Sequence, residues 1–168
     1  GFALPNQGHH FNSDHLYKRF TPAGPDHAQV AASAGMADYF DAMSAHHGGG
    51  TGAAAARLSH DLMRAYEVAL LQPLLDYLSA KNSVRLVGPA DATRRAPTVA
   101  MALKSDAEAA AAKLAPHGIM AGGGDFYAQR PLQAVGVDPV QGVPRVSFVH
   151  YTTRAEVDAL MVALDQVV

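Results

Sequence analysis

Nine histidines are the first candidates for metal ligation or proton transfer, and His9 with His10 and His46 with His47 form adjacent pairs. The spacing argues against a metal. Adjacent side chains diverge on a helix or a strand, and no His-x-x-x-His or Asp/Glu-x-x-His pattern supplies a second ligand on the same face, so no metal site is expected. Cysteine is absent, which removes disulfides, thiolate metal ligands, a cysteine nucleophile and a persulfide carrier from this chain. Lysine is scarce, with only four in the chain: Lys18 adjoins Arg19, Lys81 ends a helix in a polar turn, Lys104 precedes a helix cap and Lys113 lies on the polar side of an alanine-rich helix, so none reads as a desolvated, reactive amine. The glycine runs GGGTG and GGGD carry no G-x-x-x-x-G-K-[ST] pattern and do not open a helix after a strand as G-x-G-x-x-G would. GGGTG is expected to be an uncharged flexible hinge. Arg145, at the start of an apolar strand, has the planar fork that suits a carboxylate; its spacing alone favours a surface ion pair at a strand end.

The elements that must position these groups follow from pattern. With 168 residues the chain has room for one domain or slightly more. Thirteen basic against fifteen acidic side chains give a net charge of -2, which offers no electrostatic reason to expect nucleic acid or an anionic membrane as partner. No apolar run approaches the roughly 18 residues of a membrane span, and the opening GFALPNQGHHFNSD has neither the basic nor the apolar region of a signal peptide. Residues 1–25, with three prolines and no periodicity, read as an extended strap. Asp26 with Gln29 forms a capping box for a helix that carries Val30 and Phe40 on its apolar face and ends near His46. A second helix is expected over 53–80, kinked or broken at Pro73. Two antiparallel strands follow at VRLVGP and APTVAMAL. Next come a helix capped by Ser105 and Glu108, a short strand over 118–120, a loop through GGGDFYAQRPL, a mostly buried strand at GVPRVSFVHY, and a closing helix. That last helix has Thr153 and Glu156 as capping box and Val157, Leu160, Met161, Leu164 and Val168 as stripe. This order predicts an α/β fold, a small antiparallel-rich sheet with helices on one face.

The succession RFTPAGPDHAQVAASAGMADYF, a long helix, VRLVGP, RAPTVAMAL, HGIMAGGGDFYA and VPRVSFVHYTTRAEVDAL resembles the class V aminotransferase group of fold-type I pyridoxal-phosphate enzymes. It looks closest to the branch called cysteine-desulfurase-like. The similarity runs from Arg19 to Leu164 and is most specific at its end, where an arginine, a short apolar strand, a Tyr-Thr pair and a helix opening with Glu-Val-Asp follow one another. The family's chains are more than twice as long, so the resemblance implies a C-terminal part: the end of the large domain over 1–52, a linking helix over 53–80 and the small α/β domain over 81–168.

The resemblance implies pyridoxal phosphate as cofactor of the whole enzyme, an amino acid as substrate, a homodimer, a cytoplasmic setting, and a missing N-terminal large domain that holds the Schiff-base lysine. This chain alone is then expected to be inactive and to bind no cofactor covalently, with no catalytic residue of its own. Arg145 stands where the family binds the substrate's α-carboxylate. Gly24 replaces a threonine whose hydroxyl reaches across the dimer to the cofactor phosphate, so only a backbone N–H remains for that contact. Asp125, Phe126 and Tyr127 fall where desulfurases carry the loop with the catalytic cysteine, and Tyr127 and Arg130 either line the substrate mouth or anchor that loop by stacking. A stand-alone α/β binding module that shares the small-domain fold is the alternative.

Overall fold

The computed structural model of the chain describes residues 26–168; the strap over 1–25, with Gly24, Lys18, Phe11 and Phe20, lies outside the described residues. The chain divides into two compact units with the boundary between Ser59 and His60.

In the first unit, Asp26 caps α1 (His27–Ala32) by accepting the backbone N–H groups of Ala28 and Gln29. The reciprocal arm from Gln29 that a capping box needs is not formed. One helix was expected here, and two are found. Ser33 donates its hydroxyl to the carbonyl of Val30 at 2.6 Å, a local bond that competes with the helical ladder, and α2 (Ala34–His46) starts afresh. The two helices bury little: α1 buries no residue and α2 only Ser44, while Val30, Met36 and Tyr39 stay exposed. GGGTG is a packed turn, not a free hinge. A Cβ on Gly49 would stand 2.5 Å from both Leu58 Cδ2 and Ser44 Oγ. The buried Ser44 hydroxyl donates to the carbonyl of Gly50 at 2.7 Å, and Asp41 accepts the N–H of Gly52 at 2.9 Å.

The helix α3 (Gly52–Ser79) runs unbroken through Pro73. The missing ladder bond and ring clash cost about 3 kcal/mol, but Leu70, Leu71, Leu74, Leu75 and Leu78 around it are all buried. Each such burial contributes roughly 1.5–3 kcal/mol, so the packed face outweighs the proline. In the second unit, β1 (Arg85–Val87), β2 (Thr98–Ala102), β3 (Gly122–Gly124) and β4 (Val143–Ser147) form one antiparallel sheet in the order β1-β2-β4-β3. One face carries Val99, Met101 and Val146 into the main core, which Phe148, the leucines of α3, Leu114 of α4 (Ala107–Leu114), and Val157, Leu160 and Leu164 of α6 (Arg154–Leu164) complete. The capping box at Thr153 and Glu156 is present. Asp106, one residue later than expected, caps α4.

The expected strand over 118–120 is absent, and its place is taken by β3. The cause is close packing: a Cβ on Gly123 would lie 2.1 Å from the carbonyl oxygen of Ala107, so only glycine lets α4 approach the sheet this closely. The opposite sheet face holds a smaller cluster, Val87, Ala100, Ala102 and Val143 with Phe126, Val137 and Leu132. Leu132 belongs to α5 (Gln129–Ala134), a short helix that lies within the expected loop. At the ends of α3 and α6, Tyr77 and Lys81 both donate to Asp165, at 2.7 and 2.6 Å. No helix among the described residues is long and apolar enough to cross a membrane.

Candidate functional site

Alternation along β4 sends Pro144 and Val146 to the helix-covered side and Val143, Arg145 and Ser147 to the other. Arg145 is paired with Ala100 on β2 and Gly122 on β3, two of the smallest side chains available, which leaves space over the sheet for a guanidinium. That guanidinium is exposed and lies over the ring of Phe126, 3.8 Å from the centroid. Among the described residues it makes no hydrogen bond or ion pair. The surface ion pair that its spacing favoured is thus not formed among them. Its neighbours behave differently. Arg85 donates to the carbonyls of Val135 and Gly136, and Arg95 donates to those of Pro89, Val87 and Thr98. On the same face, one step along the pleat, the hydroxyls of Ser147 and Thr98 lie 3.1 Å apart.

Phe126 reaches Arg145 from a turn with uncommon backbone. Phe126 and Tyr127 have φ of 51° and 58°, a region that costs a non-glycine residue roughly 1–2 kcal/mol. Asp125 sustains it: one carboxylate oxygen accepts the N–H of Tyr127 at 3.0 Å, the other accepts the Gln129 amide at 2.9 Å, and its carbonyl accepts the N–H of Ala128 at 2.8 Å. The Gln129 amide first, and the Tyr127 N–H second, hold the Asp125 carboxyl below the usual carboxylate range. The turn sends Phe126 inward and leaves the side chain of Tyr127 wholly exposed. Arg130, on α5, is also exposed and has no hydrogen-bond partner among the described residues. Stacking in this loop therefore falls to Phe126 with Arg145, whereas Tyr127 and Arg130 were the residues expected to provide it. A signal was present in the sequence, since Gly122 and Ala100 leave room for a ring, but it requires the pairing of β4 with both neighbours to be known.

Among the described residues, grooves of about 520, 310 and 360 Å³ lie around this sheet, and Arg145 lines none of these three. Among the described residues no group of three or more His, Cys, Asp or Glu is placed to hold a metal. For a carbonyl cofactor held covalently the described lysines do not fit: Lys81 is bound to Asp165 at 2.6 Å, and Lys104 and Lys113 are exposed. None is desolvated and free to be aimed at a ring.

The profile of the aminotransferase class-V family matches residues 48–160. No curated protein matches the chain. Among solved structures, the cysteine desulfurase CsdA of Escherichia coli is similar at 25% identity and a TM-score of 0.51, over 62% of this chain and 25% of that one. The cysteine desulfurase of Thermococcus onnurineus is similar in fold at 22% identity and a TM-score of 0.59, over 67% and 27%. A NifS-like protein of Rickettsia africae follows at 20% and 0.52, over 67% and 32%. The chain thus spans between a quarter and a third of the length of the proteins it resembles. Their fold agrees with the small antiparallel sheet and its packed helices, and with a family profile matched over more than half of its length the chain belongs to the class V aminotransferases.

Proposed function

We propose that this chain is the C-terminal part of a pyridoxal-phosphate-dependent enzyme that acts on an amino acid, and that Arg145 binds the substrate's α-carboxylate. The observation that supports it is the exposed guanidinium at the head of RVSFVHYTT, which has no hydrogen-bond or ion-pair partner among the described residues. The cofactor, where bound, supplies an electron sink for the bonds at the amino acid's α-carbon. The described lysines of this chain do not fit its covalent attachment, and the proposal places the Schiff-base lysine in a large domain outside this sequence. The division at 1–52, 53–80 and 81–168 into the end of that domain, a linking helix and the small domain is part of the reading. So are a homodimer, a cytoplasmic setting, and lack of activity in this chain alone. Gly24, through its backbone N–H, contributes to the cofactor phosphate site across the dimer, and Tyr127 and Arg130 border the substrate mouth. Two of the similar structures are cysteine desulfurases; a chain without cysteine cannot carry a cysteine persulfide itself.

What this chain contributes is binding and orientation. Two parallel N–H···O bonds from the planar fork fix both oxygens of a carboxylate and hence the direction of the α-carbon. Hydrogen bonds to charged groups contribute about 1.5–3 kcal/mol each. Arg145→Ala in the full-length holoenzyme should therefore weaken binding of L-alanine, the probe measured by calorimetry, by roughly tenfold to hundredfold. Arg145→Lys should recover only part of it, because an ammonium lacks the fork. Cofactor content should stay at the wild-type level. Unchanged affinity in both variants would show that Arg145 is a surface strand end and no carboxylate ligand.

A further inference from the structure

We propose that Phe126 is the positioning residue for Arg145, holding the guanidinium by its flat face so that its N–H edge is presented to the carboxylate of an α-amino acid; this rests on the reading of Arg145 given above. A ring against the face of a guanidinium consumes none of its five in-plane donors. Stacking therefore restrains the group while leaving every hydrogen bond available. No other group among the described residues does so, since Arg145 makes no hydrogen bond or ion pair there.

The ring is itself held from three sides. It packs with Leu132, Val137 and Val143. It also lies against Gly122, where a Cβ would be 3.1 Å from its Cε1 and Cζ, and Gly122 is the residue paired with Arg145 on β3. The glycine gives the ring room to lie this close to the strand pair that carries the arginine. Behind it, the left-handed pair at Phe126 and Tyr127, sustained by Asp125, turns one ring inward and the other outward. A conformation this unfavourable for non-glycine residues persists only where surroundings impose it, and it is common where a side chain must be aimed. Pre-aiming a long flexible arginine removes part of the ordering cost that ligand binding would otherwise bear.

The test uses the full-length holoenzyme with L-alanine titrated by calorimetry. Phe126→Leu keeps an apolar side chain in the cluster but removes the aromatic face, and Phe126→Tyr restores the face. Phe126→Leu should weaken binding about twofold to fivefold, the scale of an exposed cation–π contact, and Phe126→Tyr should bind as wild type. In an Arg145→Ala background, Phe126→Leu should change nothing further, because its effect passes through the arginine. A merely structural role would instead add to the loss. As a readout that requires no Phe126 variant to fold, the Arg145 Nε–H proton in holoenzyme labelled with 15N-arginine, identified by its loss in Arg145→Lys, should lie upfield through the ring current. A normal shift there, or an undiminished Phe126→Leu effect without Arg145, overturns the proposal. Unchanged affinity in Phe126→Leu with a large loss in Arg145→Ala sinks it while sparing the arginine; unchanged affinity in both removes the arginine reading as well.

Discussion

Gly123→Ala tests why the third strand exists where it does. A Cβ at this position would stand 2.1 Å from the carbonyl oxygen of Ala107, 2.4 Å from its carbonyl carbon and 2.7 Å from the N–H nitrogen of Glu108. Carbon contacts become attractive only near 3.5–4.0 Å, so sheet and helix must separate by more than about 1 Å at this point. All three obstructing atoms are backbone, which cannot rotate away. The shift would stretch the bond from the Ala107 N–H to the carbonyl of Gln141, now 3.2 Å, and loosen the buried Ala107, Ala110, Ala111 and Leu114. Glycine to alanine in a strand otherwise gains roughly 0.5–1 kcal/mol, whereas overpacking costs about 1–3 kcal/mol and occasionally more. The clash wins, and a net loss of about 1–2 kcal/mol is expected, a fall of roughly 2–8 °C in the thermal midpoint for a chain of this size. Gly122→Ala is the comparison in the same strand: its Cβ meets only the Phe126 ring at 3.1 Å, which can yield, so its cost should stay near 1 kcal/mol or below. Thermal and urea unfolding followed by circular dichroism measure both. If Gly123→Ala proves no more costly than Gly122→Ala, the close approach of α4 is not what reserves the strand for glycine.

Thr153→Ala removes the cap of α6, whose hydroxyl accepts the Glu156 N–H, and should lower stability by about 1 kcal/mol in urea unfolding; an unchanged midpoint would show that the helix start is held by its packed face alone. Asp165 is held below its usual range by the Lys81 ammonium first and the Tyr77 hydroxyl second. A depressed carboxylate contributes stability that is present above the unfolded pKa, near 3.9, and is lost as pH falls through the lower folded value. Wild type should therefore be the more stable at pH 7 when compared with Asp165→Asn, and the gap should close as pH falls below about 4; a gap that is constant with pH contradicts the assignment.

The sequence by itself determined what depends on near neighbours and on composition. Thr153 with Glu156 set the start of α6, the leucines of α3 set its buried face, and VRLVGP and APTVAMAL set the antiparallel pair, because caps and periodicity act within a few residues along the chain. The absence of cysteine was legible in the same way, as were the polar settings of Lys81, Lys104 and Lys113. Tertiary structure decided the rest. Pro73 stays inside one helix because buried leucines on either side outweigh its local penalty. GGGTG is packed because Leu58 and Ser44 close on Gly49, and β3 forms at 122–124 because α4 returns against Gly123. Tyr127 and Arg130 were the residues that the family likeness singled out beside Arg145, yet the ring under the guanidinium is that of Phe126. The reason is common to all of these: the chain lists side chains in order, whereas whether a glycine meets a carbonyl or a phenyl ring meets an arginine is set by strand register and helix approach, which bring together atoms that no local pattern relates.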